Sequence, residues 1–170
     1  MLNKKYKHGM YGGKFEPFHK GHLYCLETAV SECEKVSLIL FAGGADEIRI
    51  ESEMETYNPI IRAHLSVDAR IAKCKEIASR FDNVEFRFLD ISSCRKEDGS
   101  EDWEAETPLV LNLVGEFDAV YGSEVSYSDY FKRAYPGAEY RCLDPKRIKY
   151  PISGTRIRKM PIINIKYWNI

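Results

Sequence analysis

The sequence lacks the features that mark membrane, secreted or metal-cluster proteins. No run approaches the ~18 apolar residues of a membrane helix. The basic N-terminal segment 1–13 has no apolar stretch of the kind found in secretory signals. The five cysteines are odd in number and scattered, without the paired spacing of a zinc site. We therefore expect a cytoplasmic protein with reduced, mostly buried cysteines, no membrane partner and no metal site formed by the chain itself.

The chain also lacks an excess of charge of one sign. Its net charge of −1 gives no indication of nucleic-acid binding. The charges are unevenly distributed, however, because ten Lys/Arg and only two acids follow from Lys132 onward, whereas acids collect at 46–55 and 97–106. A basic C-terminal quarter suits a small polyanion such as a nucleotide, although a solvated basic face explains the same pattern.

Strand-like and helix-like segments alternate along the 170 residues, which are 44% hydrophobic and 30% charged, as in one ordinary globular domain. The pattern predicts strands near 7–11, 36–41, 84–88, 119–121 and 139–143, and helices near 21–34, 59–81, 108–115, 127–134, 153–159 and Ile163. Such alternation predicts an α/β fold, a Rossmann-like doubly wound parallel sheet in a single domain over residues 1–170. Sheets of this kind bind ligands beyond the carboxyl ends of their strands. The polar segment 92–106 predicts a long surface loop.

The segment between the first strand and the first helix is a candidate phosphate site. It reads Gly13-Lys14-Phe15-Glu16-Pro17-Phe18-His19-Lys20-Gly21-His22. Free N–H groups and the helix dipole favour an anion at such a position. His19 and His22, three residues apart, would lie on one helical face and donate to phosphate oxygens, more strongly if protonated. A lone histidine is usually structural, but two in this context favour phosphate binding.

A second candidate segment, Ile152-Ser153-Gly154-Thr155-Arg156-Ile157-Arg158, opens a helix near the C-terminus. Ser153 can cap that helix, while Thr155 offers a hydroxyl and a backbone N–H to phosphate. Arg158 would direct a forked cation at the β- and γ-phosphates of a nucleotide. By itself the segment also fits an N-capped basic surface helix.

These two segments resemble the signatures GxFxPxHxGH and ISxTxxR of the nucleotidylyltransferase superfamily. Most of the chain is similar to the NMN adenylyltransferase domain of the NadR type, at Tyr121–Glu124, at Asp144–Arg147 and at Met160-Pro161 with Tyr167-Trp168. The similarity is loose between 46 and 116. His19 stands where phosphopantetheine adenylyltransferases usually carry Thr, which counts against that subfamily. With no Walker motif and no N-terminal DNA-binding segment in the sequence, we do not extend the resemblance to kinase or repressor activity.

The resemblance implies an adenylyltransferase that transfers AMP from ATP, with Mg²⁺, to nicotinamide mononucleotide (NMN), giving NAD and pyrophosphate. The implied catalytic residues are His19, His22, Lys14 and Arg158. The implied substrate-binding residues are Gly13, Phe15, Ser123, Glu124, Asp144, Arg147, Ser153, Thr155, Arg70 and Trp103. Trp103 either stacks on a nicotinamide ring or anchors the polar loop.

Two alternatives stay open at this stage. A related nucleotidylyltransferase would use another phosphorylated acceptor or CTP, and a non-catalytic nucleotide-binding regulatory module would bind without turnover. The sequence also leaves a homo-oligomer open.

Overall fold

The apolar segments predicted as strands form one parallel sheet in the computed structural model, which describes residues 3–170. The strands are β1 (Tyr6–Gly13), β2 (Cys33–Ala42), β3 (Val84–Asp90), β4 (Ala119–Gly122) and β5 (Glu139–Cys142). The helices are α1 (Lys20–Glu32), α2 (Ala45–Ser52), α3 (Pro59–Arg62), α4 (Val67–Ala78), α5 (Trp103–Val114), α6 (Ser128–Ala134), α7 (Gly154–Lys159) and α8 (Ile165–Trp168). Within the described residues, none of these helices is long and apolar enough to cross a membrane.

The sheet is covered by helices on both faces, which confirms the predicted doubly wound α/β fold. Leu38 and Leu40 of β2 belong to a core cluster with Leu26 of α1 and Ile77 of α4. Ile39, which points to the opposite face, joins a second cluster with residues of α5 and β4. Both faces of β2 are therefore buried, and this explains its almost continuous apolar run.

The strand order β3-β2-β1-β4-β5 places the change of direction between β1 and β4. The chain builds outward from β1 to β3 on one side and then returns to add β4 and β5 on the other. Gly12-Gly13 ends β1 and Gly122 ends the neighbouring β4, at the same edge of the sheet. A crevice at such a point is where open α/β sheets bind ligands.

A third, smaller core cluster holds the C-terminal helices against the middle of the chain. Ile157 of α7 and Trp168 of α8 are buried together with Ile50 and Ile61. This packing fixes α7, and with it the second signature segment, beside the carboxyl edge of the sheet.

The helix predicted over 59–81 is wrong as a single element, because the chain folds it as α3 and α4. Asn58 caps α3 by accepting from the Ile60 N–H, and Ser66 caps α4 by accepting from the Ala69 N–H. The apolar periodicity continues through the break, but the Ser66 side chain competes for the backbone and starts a new helix.

Two further helices differ from the expectation. The acidic segment after β2 forms α2, which was not predicted. Helix α5 begins at Trp103 under an Asp102 cap and carries Pro108 in its interior, whereas the sequence rule for proline predicts a start at Pro108. The loop after β3 is therefore shorter than predicted, and Trp103 lies on a helix.

The expectation that the cysteines are reduced and mostly buried is confirmed, but one of them lies in a strand instead of a helix. Cys25, Cys33 and Cys74 are buried and unpaired. Cys33 does not lie on the first helix, however, but begins β2.

Candidate active site

A cavity of 510 Å³ opens at the carboxyl ends of β1 and β4. Its volume falls within the range of about 300–1,000 Å³ that is usual for small-molecule sites. It is lined by every site residue predicted from the sequence except Arg70, namely Gly13, Lys14, Phe15, His19, His22, Trp103, Ser123, Glu124, Asp144, Arg147, Ser153, Thr155 and Arg158. The structure therefore brings the two signature segments together around one space.

The two imidazoles form the N-terminal cap of α1. The Nδ1 of His19 accepts from the Gly21 N–H at 3.1 Å, and the Nδ1 of His22 accepts from the His19 N–H at 3.2 Å. The rings stack with centroids 3.6 Å apart. Because each Nδ1 accepts a backbone proton, each neutral ring carries its own proton on Nε2. Local helix capping thus fixes both rings as Nε2–H donors.

Both histidines are neutral donors in this arrangement. Burial, assisted by the charge of Arg147, lowers the pKa of His19 to about 3. Burial also holds the pKa of His22 well below its usual value, with the His19 and Arg147 charges adding to the effect. The free protein therefore presents neutral imidazoles to the cavity, rather than the protonated rings that would donate more strongly.

Phe15 supports this pair from behind. It is buried with φ +52°, and its ring packs 5.0 Å from the His22 ring and 4.8 Å from the Phe18 ring. A left-handed backbone is strained for an aromatic residue, so the surrounding packing holds it in place. Its position is consistent with a supporting role for this side chain.

The second signature segment is joined to the first by its arginine. Arg158 Nη1 donates to the Glu16 carbonyl oxygen at 2.6 Å, although the two residues are 142 positions apart. Ser153 caps α7 by accepting from the Arg156 N–H, as predicted. Gly154 allows the close approach, since a Cβ there would lie 2.9 Å from the same Glu16 oxygen. Glu16 and Gly154 stand within the signatures, but their role became visible only in the fold.

The loop after β5 is organised by Asp144. Its carboxylate accepts from the backbone N–H groups of Ile148, Lys149 and Tyr150 at 2.8 to 3.1 Å. Partial burial opposes ionisation, but these three donors hold the pKa of Asp144 below its usual value. Asp144 thus shapes the cavity wall and has fewer lone pairs free for a ligand.

Arg147 reaches across the cavity wall from the same loop. It donates to the Ile152 carbonyl at 2.9 Å and pairs with Glu124 at 2.8 Å. This ties the segment after β4 to the entrance of α7. Ser123, beside Glu124, lines the cavity between them.

Lys14 is held by two acids that the sequence analysis did not single out. Its ammonium pairs with Glu101 and lies 3.4 Å from the Asp46 carboxylate. Burial lowers the pKa of Lys14, but the charges of Glu101 and Asp46 outweigh that effect and raise it above its usual value. Lys14 therefore stays a cation. The acidic segments 46–55 and 97–106 were visible in the sequence, but nothing local indicated that they converge on Lys14.

Arg70 is placed differently from the expectation. Its side chain is 1% exposed and does not line the cavity. It donates to the Lys14 carbonyl at 2.9 Å and to Glu47 at 2.5 Å, with Glu16 at 3.4 Å. This geometry corrects the expectation that Arg70 contacts the substrate. Its guanidinium is instead bonded to a backbone carbonyl and to two acids behind the signature loop.

Trp103 stands at the aromatic side of the cavity. Its ring packs edge-on against Tyr127 at 5.1 Å and at a tilt against Tyr130 at 5.4 Å, measured between ring centroids. Its indole N–H donates to Glu101 at 3.3 Å. The tryptophan is therefore anchored and also lines the cavity. Glu106, one turn further along α5, lines the cavity too and was missed, because a glutamate inside a helix carries no sequence signal.

The described residues contain no group of three or more His, Cys, Asp and Glu side chains arranged to hold a metal ion.

A known family model, described as cytidylyltransferase-like, matches residues 10–160, which include both signature segments. This chain belongs to the cytidylyltransferase-like family of nucleotidyltransferases. The superfamily inferred from GxFxPxHxGH and ISxTxxR is thereby confirmed.

A similar protein is named for NAD biosynthesis. The trifunctional NAD biosynthesis/regulator protein NadR of Escherichia coli (strain K12) is 25% identical over 169 residues, which cover 94% of this chain and 37% of that protein. The chain thus spans little more than a third of this relative.

Solved structures of other proteins share this fold. A NadR protein in complex with NAD and AMP-PNP aligns with a TM-score of 0.66 at 19% identity, covering 96% of this chain and 45% of that one. A bifunctional NMN adenylyltransferase/ADP ribose pyrophosphatase from Francisella tularensis aligns with a TM-score of 0.61 at 20% identity, covering 95% and 44%. At these identities the likeness establishes a shared fold.

Proposed function

We propose that this protein transfers AMP from ATP to NMN and releases NAD and pyrophosphate. The observation that carries the proposal is the meeting of His19, His22 and Arg158 around one cavity at the change of strand direction. The similar proteins named for NAD biosynthesis and NMN adenylyl transfer support NMN as the acceptor.

The reaction needs no protein nucleophile, because the acceptor supplies its own. A phosphate oxygen of NMN attacks the α-phosphorus of ATP in line, the bond from that phosphorus to the bridging oxygen breaks, and pyrophosphate leaves with the electron pair. The protein then acts by positioning the two phosphates and stabilising charge on the oxygens. Mg²⁺, bound as part of the MgATP substrate, would supply positive charge that offsets the charge of the leaving pyrophosphate.

Each polar wall of the cavity has a part in this scheme. The two Nε2–H donors of His19 and His22 would bind oxygens of the transferring phosphate at the amino end of α1. Arg158 and Thr155, at the start of α7, would hold the β- and γ-phosphates. Lys14 would give up part of its pairing with Glu101 to bind the incoming acceptor phosphate.

Pyrophosphate release over a substrate panel tests the proposal. ATP and CTP are each paired with NMN, nicotinate mononucleotide and glycerol 3-phosphate. We expect the highest kcat/KM for ATP with NMN, accompanied by NAD. A higher value for CTP or another acceptor would replace the proposed substrates, and nucleotide binding without pyrophosphate from any pair would indicate a non-catalytic module.

A further inference from the structure

Glu106 on α5 is a buried acid that the fold does not explain. The residue is 9% exposed, and its Oε1 atom has no hydrogen-bond partner among the described residues. A buried polar atom without a partner lowers stability, so a native protein rarely keeps one without a use. Glu106 belongs to neither signature segment, yet it lines the cavity.

Aromatic side chains line the cavity together with Glu106. Trp103, one turn before Glu106 on α5, packs against Tyr127 and Tyr130, and all three rings line the cavity. The Tyr130 hydroxyl donates to the Trp103 carbonyl at 2.7 Å, so its proton is not available to Glu106. This side of the cavity therefore presents aromatic faces beside an unsatisfied carboxyl group.

Nearby charges do not neutralise this acid. Burial raises the pKa of Glu106 to about 7, the charges of Glu101 and Asp102 add to the rise, and Lys14 opposes it. Lys14 is already paired with Glu101 and Asp46. A ligand that brings a positive charge would therefore convert Glu106 to its anion and would supply the missing partner.

We propose that Glu106 is the specificity residue that selects a cationic, carboxamide-bearing aromatic ring over the corresponding ring carboxylate. The inference rests on the proposed function and deepens it. A pyridinium ring between aromatic walls gains cation–π attraction, and a carboxamide N–H can donate to the Glu106 carboxylate. A ring carboxylate at the same place would face a second carboxylate and would be rejected.

Glu106→Gln tests this selection, with Glu104→Gln as the matched control. Glu104 lies on the same helix but is exposed and pairs with Arg133 at 2.7 Å. We expect Glu106→Gln to reduce the preference for NMN over nicotinate mononucleotide by about tenfold or more, mainly through a higher KM for NMN. The KM for ATP should stay within about twofold, as should all constants of Glu104→Gln.

Calorimetry of NMN binding measures the number of protons released. A glutamate with a purely structural role would not change that number. Titrations at pH 7 in two buffers of different ionisation enthalpy should show net proton release for the wild type, and Glu106→Gln should lose it. An unchanged acceptor preference together with unchanged proton release would overturn the inference. If the wild type forms no NAD from NMN, the proposed function fails instead, and the inference falls with it.

Discussion

Each imidazole of the histidine pair uses its two nitrogens for different purposes. Nδ1 accepts a backbone N–H and holds the first turn of α1, and Nε2 keeps its proton. The capping bond and the proposed phosphate contact are thus assigned to different atoms of the same side chain.

His22→Asn exploits this separation. The Asn Oδ1 atom can replace Nδ1 as acceptor from the His19 N–H, but the variant has no donor at the Nε2 position. We expect a melting temperature close to that of the wild type and a kcat/KM for NAD formation lower by about 10²–10³. His22→Gln, whose amide nitrogen reaches toward the Nε2 position, should recover part of the activity. If His22→Asn turned over within tenfold of the wild-type rate, the proposed role of the His22 Nε2–H in catalysis would be rejected.

Arg158 combines a structural bond with a proposed ligand contact, and Arg158→Lys divides them. A lysine keeps the charge but cannot donate to the Glu16 carbonyl and to a phosphate with the same geometry. We expect KM for ATP to rise by about tenfold or more, since a charge-assisted hydrogen bond contributes about 1.5–3 kcal/mol, while KM for NMN changes little. Steady-state kinetics with each substrate varied in turn measures this. Arg156→Lys is the control, because Arg156 is exposed on the same helix. An equal rise in the KM for ATP in both variants would contradict the role assigned to Arg158.

At the scale of elements, the loop between β5 and α7 depends on one carboxylate. The folded pKa of Asp144 lies below its unfolded value, so its contribution to stability is present above the unfolded pKa and is lost as pH falls through the folded pKa.

We therefore expect Asp144→Asn to melt below the wild type at pH 7. The difference should narrow as the pH falls below about 4, because the carboxyl of the unfolded wild-type chain then takes up a proton while that of the folded protein is still charged. Thermal unfolding at pH 7 and pH 3.5 measures this. A difference in melting temperature that is the same at both pH values would mean that the three backbone hydrogen bonds stabilise the loop equally with a neutral acceptor.

At the scale of the whole molecule, Arg70 connects parts of the chain that are far apart in sequence. From α4 it bonds the Lys14 carbonyl in the signature loop and pairs with Glu47 on α2. The signature loop, the acidic helix and α4 are thus held by one buried guanidinium.

Arg70→Met should destabilise the protein by about 3–5 kcal/mol, because it leaves Glu47 and Glu16 buried without their cation. Urea unfolding measures the change. Arg80→Met is the control, since Arg80 makes an exposed pair with Glu76 that contributes less than about 1 kcal/mol. Equal stability of the two variants would show that the buried network is not needed for folding.

The predictability of each site residue follows the range of its contacts. His19, His22 and Ser153 make short-range capping bonds, so their motifs carried both their position and their orientation. Arg70 and Lys14 were recognised as site residues, but their partners lie 23 to 87 positions away and depend on the strand order. Glu106 gave no signal, because a helical glutamate is ordinary until the fold buries it.

The sequence by itself determined the alternation of strands and helices, the two signature segments and the family, because each depends on residues close together in the chain. Tertiary structure alone decided that helix 59–81 divides, that Arg70 stays behind the cavity and that Glu101 pairs with Lys14. Those outcomes depend on which strands lie side by side and on which polar groups are then removed from water, and neither is encoded within a single segment.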